Sequence, residues 1–230
     1  QLSQAKKQIA LLYGSSLIGV ALGLLSSIVN TRFLPPTEYG DVRYIQNIIQ
    51  CISIFLLVGF FHSGSRLLTK SGDILYTRRV KGVMCAILLI SCIIMALSMP
   101  VCSIIHTMSG ESKVHLAHLF LISTPVAMCP ILLNYLEHTT QGDNQIGRLS
   151  LARLLPYLIY VPVAYILYKA YGATSERMLL LQLGISSIVY LAIILSTRPQ
   201  FKNPGPIWKE LKAENKNYGR HLYIGSLVMV

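Results

Sequence analysis

Two groups of polar residues lie in stretches otherwise apolar enough to exclude them. The first is Gln46, Asn47 and Gln50, with His62 further along, in RYIQNIIQCISIFLLVGFFHS. Side-chain amides donate and accept hydrogen bonds. In an apolar surround they must bond to a neighbouring helix or line a water-filled cavity. Both readings stay open for these residues. The second group is Arg153, Tyr157, Tyr160, Ala164 and Tyr168, whose spacing brings all five near one helix face. It reads either as a snorkelling arginine with interfacial tyrosines or as the cationic, aromatic wall of a cavity.

Other chemistry is not signalled. The chain has no G-x-x-x-x-G-K-[ST], no H-E-x-x-H and no G-x-S-x-G. Its cysteines, Cys51, Cys85, Cys92, Cys102 and Cys129, all fall in apolar runs without a C-x-x-C pair. Neither a zinc site nor a disulfide framework is indicated. His115 and His118 stand near a span end with no third ligand in sight and read as interfacial residues. No Asp or Glu falls inside a predicted span, and Glu137 is placed at the end of one. The expectation is a non-enzyme with no catalytic residues, no metal and no cofactor.

The elements that hold these residues follow from composition. Of 230 residues, 53% are hydrophobic and 13% charged, against about 25% charged in a soluble domain. The apolar runs are about 20 residues long, enough to cross the hydrocarbon of a bilayer. The predicted spans are Ile9–Asn30, Tyr44–Ser65, Val83–Met108, Leu116–Leu136, Leu149–Tyr168 and Met178–Thr197, with a seventh starting near His221. The fold class is therefore all-α: a polytopic integral membrane protein with six complete spans and the start of another. Residues 1–197 form the six-helix lobe, 198–220 a linker and 221–230 the start of a second lobe. The chain opens on Gln1 and closes within HLYIGSLVMV, so it reads as part of a longer protein.

Lys and Arg set the orientation. Fifteen of them lie at the N-terminus, in the 66–81 and 198–220 loops and at Arg148 and Arg153; five, Arg32, Arg43, Lys113, Lys169 and Arg177, lie on the other side. That bias places the N-terminus in the cytoplasm. It also accounts for the net charge of +11 without a nucleic-acid partner. Ser15, Gly19, Gly23 and Ser27 recur every fourth residue and predict a close helix-packing face. Pro100, Pro125, Pro130, Pro156 and Pro162 predict bent spans. The stretch PGPIWKELKAENKNYGR, with Ile207, Trp208 and Leu211 on one side, predicts a short helix on the membrane surface.

One stretch carries a resemblance. NTRFLPPTEYGDVRYIQNII, followed by LLVGFFHSGSRLL, resembles the start of bacterial O-antigen and oligosaccharide flippases of the multidrug/oligosaccharidyl-lipid/polysaccharide superfamily. Arg32, Leu34, Pro36, Glu38, Tyr39 and Gly40 match that family's turn; Pro35 stands where Gly is usual. The similarity covers residues 26–70. It implies a MATE-like N-terminal lobe in the bacterial inner membrane. It further implies ATP-independent alternating access that moves an undecaprenyl-pyrophosphate-linked oligosaccharide to the periplasmic leaflet for surface polysaccharide. The implied partners are that lipid-linked substrate, membrane lipids and a polysaccharide polymerase. On this reading Arg66, Arg153 and Arg43 meet pyrophosphate oxygens. Gln46, Asn47 and Gln50 bond sugar hydroxyls, and Tyr157 and Tyr160 stack on sugar faces. An ion-coupled drug or cation exporter of the same fold is the alternative, followed by a polysaccharide polymerase or ligase and by a purely structural membrane protein.

Overall fold

The computed structural model describes residues 2–70, 72–108 and 114–228, with side chains described from residue 13 to residue 225. Lys113 of the charge count lies outside the described residues, as do the side chains of Lys6 and Lys7. The described chain is helical, with no strand among the described residues. In order it forms α1 (Leu2–Phe33), α2 (Pro36–Leu57), α3 (Phe60–Lys70), α4 (Ile74–Met108), α5 (Val114–Ser123) and α6 (Cys129–Gly142). It continues with α7 (Ile146–Tyr171), α8 (Ser175–Ser196), α9 (Pro204–Glu214), a π-helical turn (Asn215–Gly219) and α10 (Arg220–Val228).

Among the described residues four helices, α1, α4, α7 and α8, are long and apolar enough to cross a membrane, and α2 with α3 makes a fifth if the bent pair counts as one span. Helix α4 shows the logic. Val80, Met84, Leu88, Ser91, Met95, Met99 and Ser103 are buried at three- and four-residue steps. Leu89, Ile90, Ile93, Ile94, Leu97 and Val101 stay exposed on the opposite face. A helix apolar on both sides packs with one and offers the other to lipid.

Two of the expected spans are divided. The second span is not one straight helix from Tyr44 to Ser65. It begins at Pro36, because a proline at the first helical position lacks only an N–H that would be unpaired anyway. It then breaks at Val58 and Gly59, both at positive φ, and α3 leaves at 58° to α2. The expected fourth span, Leu116–Leu136, is interrupted by a turn over residues 124–128. Pro125 disfavours helix at Thr124, whereas Pro130 sits in the first turn of α6, where it is tolerated. Neither α5 nor α6 alone is long enough to span. By contrast α4 runs on through Pro100, and α7 through Pro156 and Pro162.

The helix ends gather into two groups. At one, His118 lies 3.1 Å from Glu176, His115 3.7 Å from Asp41, and the Tyr44 hydroxyl 3.1 Å from His106. Glu38 there accepts the Ser175 backbone N–H at 3.1 Å and so caps α8. The other end carries most of the described cations: Lys81 pairs with Asp143 at 2.5 Å and Arg66 with Glu214 at 2.9 Å. Helix α9 forms where expected. It buries Ile207 and Leu211 against the bundle, stacks half-exposed Trp208 on Phe60, and bonds Tyr76 through Glu210 at 2.5 Å.

The small-residue face of α1 packs only in part. Ser15 is buried and Gly19 touches Leu154 of α7, while a side chain at Gly23 would meet open space. The close approach lies instead between the α2–α3 break and the π-helical turn. Asn215 donates to the Val58 carbonyl at 3.3 Å, and Ser63 donates to the Asn215 side-chain oxygen at 3.2 Å. A Cβ on Gly59 would collide with the Gly219 carbonyl, at a φ of 76° that side chains rarely adopt. Gly59→Ala is therefore expected to lower the melting temperature of the purified full-length protein, by at least the ~1 kcal/mol cost of the backbone alone. Gly23→Ala is expected to leave it unchanged or raise it. Equal melting of both variants would show that the break is not clamped.

Candidate functional site

The site is built on α2. Val42, Ile45, Ile49 and Ser53 form its buried stripe, and helical periodicity then sets Arg43 and Gln46 half-buried at the stripe's edge. Asn47 and Gln50 lie on the exposed side.

Tyr39, in the first turns of α2, is the hub. Its hydroxyl accepts from Arg43 Nε at 2.9 Å and Nη2 at 2.7 Å, and lies 3.2 Å from Ser27 Oγ of α1. Arg43 Nη1 donates to Gln46 Oε1 at 3.1 Å, and Gln46 Nε2 donates to Gln182 Oε1 of α8 at 3.1 Å. A continuous run of hydrogen bonds thus joins three helices. Each bond contributes on the order of 1 kcal/mol, whereas an unpaired buried amide costs about 1–3 kcal/mol. These groups therefore decide which helix faces which more than they add strength.

Behind this run, α7 meets α1. Tyr160 is fully buried, donates to Asn30 Oδ1 at 2.5 Å and lies 3.1 Å from the Tyr168 hydroxyl. The Phe33 ring packs on Tyr165 and Tyr168 at 5.8 and 5.9 Å. The neighbouring Asn30 Nδ2 is buried with no hydrogen-bond partner among the described residues.

Between α2, α6, α7 and α8 lies a cavity of about 230 Å³. Four of the expected site residues share its wall: Gln46, Gln50, Tyr157 and Tyr160. Arg43 joins it through its bond to Gln46. Asn47 does not line it. Tyr160 serves as much to lock α7 to α1 as to bound the cavity. Sequence reasoning missed the α8 wall, Gln182, Ser186 and Tyr190. The signal was present: these polar residues recur every fourth position in an otherwise apolar helix. Pro130 and Pro156 also line the cavity.

The other two arginines sit elsewhere. Arg153 is not a free cation. Its Nη2 lies 2.9 Å from Glu137 Oε1 on α6, and its Nη1 lies 3.4 Å from Ser16 Oγ on α1. Glu137 is five residues inside the end of α6 rather than at its tip. An unpaired charge within an apolar bundle is expensive, and pairing offsets part of the penalty. Arg66 is at the basic end, bonded to Glu214 and placed 4.5 Å over the Tyr218 ring. His62 packs edge-on against His138 of α6, ring centres 4.2 Å apart.

A family model described as polysaccharide biosynthesis protein matches residues 5–229, nearly the whole chain. The chain belongs to the polysaccharide biosynthesis protein family. No curated protein and no solved structure gives a match. Membership in this family, together with helices of membrane-spanning length and apolarity, makes this a membrane protein of polysaccharide biosynthesis. Within it, the Arg153–Glu137 pair ties α7 to α6 beside the cavity. Arg153→Gln and Glu137→Gln should each destabilise the full-length protein, and the double variant should be less destabilised than their sum. The coupling expected in a thermal-melt double-mutant cycle is on the order of 0.5–1 kcal/mol. Simple additivity would mean that the two charges do not interact.

Proposed function

We propose that this chain is the N-terminal lobe of a flippase that carries a pyrophosphate-linked oligosaccharide lipid across the bacterial inner membrane without ATP. On this reading α2 with α3, and α5 with α6, each make one span, giving six. The N-terminus and the basic end face the cytoplasm, as the positive-inside bias requires.

The observation that carries the proposal is the polar face of α2. Arg43, Gln46 and Gln50 form a strip of donors and acceptors in an apolar bundle, bounded by a cavity and by tyrosine rings. Asn47 extends the strip onto the open side of the helix. Sugars are recognised by such amides and by aromatic faces, and pyrophosphate by an arginine fork. Arg43 is the arginine best placed for this role, beside the amides. Arg153 and Arg66, each held by a glutamate, would meet substrate only by exchanging that partner. The family, which is one of polysaccharide biosynthesis, supplies the process.

The exporter reading gains one observation, the Glu137 carboxylate within α6, and loses force because Arg153 neutralises it. Deletion of the gene in its host separates the two. The flippase predicts loss of surface polymer, with completed undecaprenyl-linked units retained on the cytoplasmic leaflet. The exporter predicts intact polymer and new sensitivity to cationic drugs. Complementation with Arg43→Gln or with Gln46→Leu is expected to restore less than a tenth of the polymer, since each removes a polar group from the strip.

A further inference from the structure

A second cavity, of about 510 Å³, opens at the basic end of the bundle and shares no wall residue with the first. Along α8 the two are separated by about 9 Å, the helical rise from Tyr190 to Ser196. Its wall carries four cations, Arg78, Lys81, Arg148 and Arg198, and two carboxylates, Asp73 and Asp143.

The partners of these charges can be followed one by one. Asp143 is taken by buried Lys81 at 2.5 Å and by the Gln145 amide. The Asp73 carboxylate accepts the Leu75 backbone N–H at 2.9 Å and caps the start of α4. Arg148 donates to the Gln145 side-chain oxygen. Arg78 and Arg198 remain, with no side-chain partner among the described residues. Their placement is fixed by backbone. Gln200 donates its N–H to the Arg78 carbonyl at 3.0 Å, and a Cβ on Gly82 would collide with the Gln200 carbonyl. Arg198 turns out of α8 at a φ of 49°, its N–H on the Leu195 carbonyl at 3.1 Å. Two unpaired guanidinium groups thus share the wall of a cavity with room for a phosphate.

On the other side of the same Gly82–Gln200 contact runs an apolar groove of about 350 Å³, walled by Val83, Ile87, Ile90, Phe201 and Trp208. It merges with the exposed face of α4, where Ile90, Ile93, Ile94 and Leu97 would meet lipid chains. A basic pocket at the membrane surface beside a lipid-facing groove has the chemistry of an anionic headgroup site. We propose that Arg78 and Arg198 bind the phosphate diester of an anionic membrane phospholipid, whose chains lie along the α4 groove. The site does not depend on the transport reading. It requires only that the protein sit in a membrane.

The test uses full-length protein in detergent, titrated with phosphatidylglycerol or with phosphatidylcholine and followed by native mass spectrometry. Wild type is expected to prefer phosphatidylglycerol. The double variant Arg78→Gln/Arg198→Gln should bind it at least tenfold more weakly, on the scale of two surface cations. Arg78→Lys/Arg198→Lys should retain the preference. Lys209→Gln/Lys216→Gln, which removes the same charge from exposed positions of the linker, should leave it unchanged. Arg198→Gln alone, at an exposed side chain, should shift binding in the same direction if the double variant does not fold. Three results would overturn the proposal. These are unchanged binding in the Arg78 and Arg198 variants, an equal loss in the Lys209 and Lys216 variant, or competition by soluble glycerol phosphate at the concentration of the lipid itself.

Discussion

The contact between Gln46 on α2 and Gln182 on α8 sets the arrangement of this bundle. Apolar helices in lipid gain little by choosing one apolar neighbour over another, because lipid tails are as apolar as leucine. An amide has no such freedom. Left in hydrocarbon it forfeits its hydrogen bonds, so Gln46 must find a partner, and Gln182 is the partner it finds. Arg43 follows, since Tyr39 and Gln46 take three of the five N–H groups of its guanidinium. Once α2 and α8 are so registered, the polar strip faces α7 across a cavity rather than collapsing onto an apolar wall. The aromatic side of that cavity is in turn held by Tyr160, whose hydroxyl is anchored on Asn30 of α1.

The same constraint explains the treatment of charge. Two cations that sit within helices have counter-ions on a neighbouring element: Arg153 has Glu137, and Lys81 has Asp143. At the basic end the 198–220 stretch adds a further anion, Glu214, which meets both Arg66 and Lys70. The 198–220 stretch is therefore part of the bundle's packing. The π-helical turn that follows α9 closes onto the break between α2 and α3. The polar strip lies on the other side of that break, on α2.

Much of this was legible in the residues. The motif around Leu34, Glu38 and Tyr39 marks a turn, and each of these has a structural duty: Leu34 is buried, Glu38 caps α8 and Tyr39 holds Arg43. The amides on α2 announced a polar face because most of the stretch around them is apolar. What escaped were features that local composition does not register. The break at Val58 and Gly59 lies in an unbroken apolar run, where hydropathy stays high while the backbone turns. The turn at Pro125 was visible as a bend, but not as a division into two helices. Glu137 read as a span end because hydropathy fades around it, whereas α6 continues to Gly142. Its pairing with Arg153 joins residues sixteen apart across a helical hairpin, a match that no single-helix periodicity reveals.

The most direct measurement is leaflet exchange by the full-length protein in sealed vesicles. The vesicles would carry a fluorescent undecaprenyl-pyrophosphate oligosaccharide on one leaflet and contain no ATP. The account predicts protein-dependent appearance of the label on the opposite leaflet, abolished when Gln46 and Gln182 are both replaced by leucine, with the protein still folded. Label that stays on its original leaflet, while the same vesicles expel a fluorescent organic cation, would contradict it.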